Sequence, residues 1–218
     1  MQYYFYGGLL LKIIAFNGSH RKGKNTAAML NLVLDEARAL GAEGELLEIT
    51  DFNIKPCKSC NKCLRQTKCS ITDDDMAYLG QKMMDADGIV IGSPVYFCNV
   101  TGLLKIFMDR TRWLHVSKNL LEGKIGAAIT HAGLRNGGQE LTLLILERFL
   151  ISHGLHIVES RKHGGGVSNL GGLGTMFSGF QEGNIIWYKS VLDDELTVRS
   201  CRQLGENIVE TIRRYRGK

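Results

Sequence analysis

No stretch of this sequence approaches the roughly 18 uninterrupted apolar residues of a membrane-spanning helix. Its apolar start, MQYYFYGGLLLKIIAF, has no basic leader and no small-residue cleavage site, so it does not read as a signal peptide. Residues 1–8 read instead as a short extension before a first strand. Basic runs and RNA-binding signatures are missing as well. The formal charge is only +5 over 218 residues, which points away from nucleic acid and suits at most an acidic or phosphorylated ligand. A cytoplasmic location, where thiols stay reduced, is the expectation.

What is present is an ordinary globular composition, 44% hydrophobic and 22% charged, in a length that fits one domain over residues 1–218. Continuous apolar runs mark five buried strands at 10–16, 45–49, 88–94, 124–130 and 155–159. Helical spacing or capping signals fill the gaps at 26–41, 73–84, 101–111, 140–154 and 193–214. Asp73 to Asp75 offer N-cap carboxylates to the second helix, and Thr101 caps the third. The basic end of the last helix, RRYRGK, is what the helix dipole favours. The glycine-rich segment 164–184 is expected to be a long mobile loop or lid without regular structure. Strands alternating with helices predict an α/β, doubly wound, five-stranded parallel sheet in the flavodoxin-like order 2-1-3-4-5. Ligands then bind at the carboxyl edge, in loops 17–26, 93–99 and 131–138.

The first of these loops, NGSHRKGKNT, half-matches a nucleotide P-loop through Gly18, Gly23 and Lys24. Asn25 stands where the magnesium-binding hydroxyl belongs, and Thr26 comes one residue late. The third strand ends in Ser93–Pro94, with no metal-binding aspartate, and no G-x-G-x-x-G fingerprint is present. Two readings stay open, an ordinary capped turn or a phosphate cradle at a helix N-terminus. In the cradle, Ser19, Asn25 and Thr26 would supply donors and Arg21 charge.

Four of the six cysteines, Cys57, Cys60, Cys63 and Cys69, are spaced C-x2-C-x2-C-x5-C. Disulfides fit poorly with a reducing compartment, and zinc sites usually pair two separated couples. Compact triplets at two-residue intervals suit a [4Fe–4S] cluster, as in bacterial ferredoxins, although the last spacer is longer here. Lys55, Lys58, Lys62, Arg65 and Lys68 surround them, which is either a solvated basic loop or an environment for an anionic cluster. Cys98 and Cys201 read as buried, inert thiols.

The motifs GSHRKGKNT, SPVYFCNVTGLLKIFMDRT and THAGLRNGGQE, in this order, resemble the flavodoxin-like NADPH-dependent FMN reductase superfamily. Within it, the cysteine spacing is similar to that of the iron–sulfur flavoprotein family. The resemblance covers roughly residues 11–160. It implies a flavin-dependent oxidoreductase with non-covalent FMN and with no catalytic residue beyond the flavin. Ser19, Arg21, Asn25 and Thr26 would hold the phosphate; Pro94, Val95, Tyr96, Phe97 and Asn99 would flank the ring; His131, Ala132 and Gly133 would approach its other side. It further implies a [4Fe–4S] cluster on Cys57, Cys60, Cys63 and Cys69, ferredoxin or NAD(P)H as electron donor, and a homodimer or homotetramer. An NAD(P)H-dependent FMN or quinone reductase with no cluster is the alternative enzyme; a flavodoxin-like carrier without turnover is the alternative of another class.

Overall fold

The computed structural model describes residues 10–162 and 171–217. The extension at residues 1–8, and residues 164–170 of the glycine-rich segment, lie outside them. Strands β1 (Leu11–Asn17), β2 (Ala42–Glu48), β3 (Gly88–Pro94), β4 (Ile125–Ala132) and β5 (His156–Ile157) form a parallel sheet of order β2-β1-β3-β4-β5. Among the described residues no helix is long and apolar enough to cross a membrane.

Both sheet faces are covered, which is why the strands read as unbroken apolar runs. In β1 the alternation is clean. Ile13 and Ala15 share a core with α1 (Asn25–Ala39) and α6 (Glu195–Arg216). Ile14 and Phe16 share the opposite core with α2 (Met76–Asp85), α3 (Gly102–Arg110), the short α4 (Arg112–His115) and α5 (Gln139–Ser152). Helix α1 buries Met29, Leu30, Val33, Leu34 and Ala37, one stripe at helical spacing. On the other face Phe16 and Phe107 meet with ring centroids 4.9 Å apart, each burial worth about 1.5–3 kcal/mol.

The fifth strand and the glycine-rich segment depart from expectation together. β5 keeps only two residues, opposite Ile125 and Gly126. The same edge of β4 is continued by β6 (Gly172–Thr175), parallel to Ile129–Ala132. The chain then forms an antiparallel hairpin, β7 (Phe177–Gln181) with β8 (Asn184–Trp187). So residues 172–184 are not a structureless lid. Here the glycines permit close packing: a Cβ on Gly172 would lie 2.4 Å from Ile129. Larger residues would push β6 off the sheet.

The aspartates before α2 also do something other than cap it. Asp75 is the N-cap, but its side chain makes no cap bond. It accepts from the Asn53 amide at 2.7 Å, Asp73 pairs with Lys55, and Asp74 accepts from the Lys55 amide at 3.0 Å. The three carboxylates therefore close the base of the cysteine loop. Asp74 also forms a fully buried ion pair with Arg110, at the end of α3, with bonds of 2.5 and 3.1 Å. Burial alone would raise the Asp74 carboxyl; the hydrogen bonds from Arg110 and from the Lys55 and Met76 amides outweigh it and hold the group below its ordinary range.

Removing one partner of a buried pair strands the other charge, so D74N should cost about 3–5 kcal/mol in urea unfolding at pH 7. Because the folded carboxyl titrates below the unfolded one, its contribution is complete above about pH 4 and is lost as pH falls through the folded value. The gap between wild type and D74N should therefore narrow in acid. Equal urea midpoints at pH 7 would refute the assignment.

Candidate active site and cysteine cavity

At the carboxyl edge of the sheet the three loops meet. The Gly18 amide donates to Gly92 O at 2.8 Å, and the Val95 amide to His131 O at 2.9 Å. Thr101, the N-cap of α3, donates its hydroxyl to Gly18 O at 2.5 Å while accepting from the Leu104 amide at 3.1 Å. The loop after β1 is braced from below by Glu48, at the end of β2. Its carboxylate accepts from Asn17 Nδ2 at 2.6 Å and from the Gly23 amide at 3.1 Å.

This loop delivers the chain into α1 with Lys24 at the N-cap and no side-chain cap bond. The amides of Asn25, Thr26 and Ala27 thus form an uncapped first turn with no intrahelical acceptor, a ready anion site. Ser19 is buried, and its hydroxyl accepts from the Arg21 amide at 3.0 Å. Thr26 Oγ1 and His131 Nε2 share a 3.0 Å hydrogen bond, while His131 Nδ1 is buried without a partner. Burial, and then the charge of Arg21, push the His131 pKa down to about 4, so the ring is neutral at pH 7. Asn25 differs from expectation: its amide donates to Met176 Sδ at 3.0 Å and accepts from the Val191 amide at 3.4 Å. Its side chain fastens the segment around β6 to β8, so an anion would meet its backbone N–H.

The second loop is a reversal closed by two bonds, Tyr96 N to Asn99 O at 2.8 Å and Asn99 N to Tyr96 O at 3.0 Å. Phe97 and Cys98 at its tip take φ of 50° and 57°, a conformation that costs such residues about 1–2 kcal/mol apiece. Phe97 is fully exposed, and the Tyr96 ring lies 5.9 Å from that of His20. Cys98 is exposed too, a correction to its reading as a buried thiol; Cys201 is fully buried and its thiol is pushed up to about 12 by burial. On the third side the Met176 amide donates to Ala132 O at 3.0 Å and Gly133 O at 3.2 Å. A Cβ on Gly133 would lie 3.6 Å from the Trp187 ring.

The cysteine loop forms a separate concavity on the α2–α3 side. Cys57, Cys60, Cys63 and Cys69 all line it, with Arg110 and Trp113 behind them. Cys57 and Cys60 are exposed, Cys63 and Cys69 half-buried. Cys60 lies 3.0 Å from the Ser70 hydroxyl; this bond, then the Lys62 amide, hold its thiol below the ordinary value, favouring thiolate. Arg112 donates to Asn61 at 2.8 Å, fixing a left-handed residue inside the loop. Among the described residues, no three His, Cys, Asp or Glu side chains gather as a ligand set for one metal ion.

The family model for NADPH-dependent FMN reductase matches residues 11–162. An iron–sulfur flavoprotein of Archaeoglobus fulgidus is 36% identical over 92% of this chain and 94% of its own length. Another, from Methanosarcina thermophila, is 37% identical over 72% of this chain and 82% of its own. This chain belongs to the iron–sulfur flavoproteins of the NADPH-dependent FMN reductase family. It is a flavin-dependent oxidoreductase. A crystal structure of a WrbA-like flavodoxin from Agrobacterium tumefaciens superimposes with a TM-score of 0.60 at 15% identity, covering 94% of this chain and 99% of that one, which shows the shared flavodoxin-like fold.

Glu48, Asn17, Arg110 and Trp113 were not among the site residues expected from the sequence. A glutamate closing an apolar strand was a usable signal for Glu48; the others resemble ordinary strand-end and helix residues. The aromatic turn also depends on Gly138, whose φ is 97° and where a Cβ would fall 2.7 Å from Cys98 Sγ. G138A should lose about 1–2 kcal/mol of stability from the backbone conformation alone, and more from the clash. Adding C98A removes the sulfur at 2.7 Å but leaves Cα and Cβ at 3.0 and 3.1 Å, so it should recover the sulfur's share of the clash and give a favourable coupling in the double-mutant cycle. Strictly additive losses would show that the two residues do not press on each other.

Proposed function

We propose that this chain is an electron-transferring flavoprotein with FMN at the carboxyl edge of the sheet and a [4Fe–4S] cluster in the cysteine cavity. The observation that carries the reading is the cavity. Four thiols spaced C-x2-C-x2-C-x5-C on one loop line one concavity, as suits a group that takes one thiolate at each of four irons. The exposed side chains of Lys58, Lys62, Arg65 and Lys68 give the loop a positive face, complementary to an anionic cluster and to an acidic donor such as ferredoxin. A reducing cytoplasm is the compartment that such thiols need.

At the sheet edge, the first-turn amides of α1 with Ser19, Arg21, Asn25 and Thr26 would hold the FMN phosphate. Pro94, Val95, Tyr96, Phe97 and Asn99 would wall one side of the ring, with His131, Ala132 and Gly133 on the other. The strained, solvent-facing Phe97 is the fit of most interest, since stored backbone strain of this kind concentrates at ligand sites. The flavin exchanges electrons singly or in pairs; the protein's part is to bind it, orient it and shield it. A neutral His131 keeps Thr26 in place without adding a charge. NAD(P)H as an alternative donor and assembly as a homodimer or homotetramer belong to the same reading. Exposed Phe97, Phe180 and Trp187 are apolar surface that a second copy would cover.

Two measurements test this. R21A should weaken FMN binding by roughly 1–3 kcal/mol, the range of a charge-assisted hydrogen bond, read by fluorescence titration; unchanged affinity would remove Arg21 from the site. Anaerobically reconstituted wild-type chain should carry about four iron and four sulfide. Near-zero iron would hand the function to a cluster-free NAD(P)H-dependent FMN or quinone reductase.

A further inference from the structure

Buried donors in folded proteins nearly always find an acceptor, because leaving one unpaired forfeits the full desolvation cost. Seven buried side-chain polar atoms among the described residues have no partner. Five are hydroxyl oxygens or histidine nitrogens, which can rotate or act as acceptors. The other two, Arg110 Nε and Trp113 Nε1, are obligate N–H donors, and both residues line the cysteine cavity.

Neither side chain is free to seek an acceptor elsewhere. Arg110 gives Nη1 and Nη2 to Asp74 and to Lys55 O, which holds the guanidinium plane and leaves Nε over. Trp113 is wedged against α2, where a Cβ on Gly80 would lie 2.3 Å from its ring. The cavity that both residues line carries the sulfurs of Cys57, Cys60, Cys63 and Cys69.

We infer that Arg110 Nε and Trp113 Nε1 donate hydrogen bonds to sulfur atoms of the bound cluster, as positioning residues that raise its reduction potential. This rests on the cluster reading above. A cluster gains negative charge on reduction, so an N–H aimed at its sulfurs stabilises the reduced form more than the oxidised one. Asp74 offsets the net charge of Arg110, so the directed N–H dipoles carry the effect.

The test uses the anaerobically reconstituted full-length chain, with iron and sulfide counted and the cluster midpoint read by EPR-monitored titration. W113F keeps the ring's bulk and deletes one donor; it should retain wild-type iron and shift the midpoint to a more negative value. R110K keeps the positive charge, loses the Nε–H and should shift it the same way. An unchanged midpoint in iron-loaded W113F overturns the inference for Trp113. Should either variant fail to hold iron, wild-type chain labelled with 15N at the indole nitrogens, or at the arginine Nε where R110K is the one that fails, decides. Pulsed EPR of its reduced cluster should show 15N coupling, and its absence overturns the inference alone. Wild-type chain that takes up no iron overturns the cluster reading and this inference with it.

Discussion

A guanidinium taken entirely out of water has to be answered on every side, and the arrangement around Arg110 follows from that requirement. Two of its nitrogens are satisfied by Asp74 and by the carbonyl of Lys55. Those two acceptors lie at the two ends of the cysteine loop. The pair thus does what a disulfide across the loop base would do, without consuming a thiol. It also ties the loop to α3 and so to the sheet. Such a pair contributes little net stability against a hydrophobic replacement, yet breaking it is costly. It works as a registration device: the loop closes in one place or not at all.

The carboxyl edge of the sheet is organised differently, by backbone. Loop 17–24 is held by a buried carboxylate, Glu48, so that the first turn of α1 stays uncapped, and the reversal at 96–99 is held in an unfavourable conformation by its two closing bonds. Both features hold unpaired or strained backbone at the surface. That is the usual sign of a site and not of a scaffold.

Much of this was legible in the chain itself. Unbroken apolar runs such as LLKIIAF and GIVIGSP announce strands buried on both faces, and their alternation with helices leaves little choice of sheet order. The missing hydroxyl at Asn25 correctly argued against a nucleotide P-loop. Reading failed where one residue type serves opposite purposes. Glycines at 172 and 174 look like breakers, but here they let a strand approach β4. Three consecutive aspartates look like a cap, but only Asp74 reaches forward to the Met76 amide, and all three also bond back to close a loop. Phe97 and Cys98 carry none of the Asn-Gly signal of a tight reversal, so nothing in the sequence marked Cys98 as exposed.

Helix α3 begins at the carboxyl edge of the sheet, where Thr101 grips Gly18 O, and ends at Arg110 in the cysteine cavity. Its nine residues span about 13 Å, and each residue advances the helix by about 100°. It is therefore both the spacer and the angular key between the two sites. Inserting or deleting one residue would turn Arg110 about a quarter turn out of the cavity while leaving the Thr101 end in register. Length variation among relatives should accordingly spare this helix and fall in the connections around it. The separation between the two sites is then a quantity that selection can hold constant while both binding loops diverge.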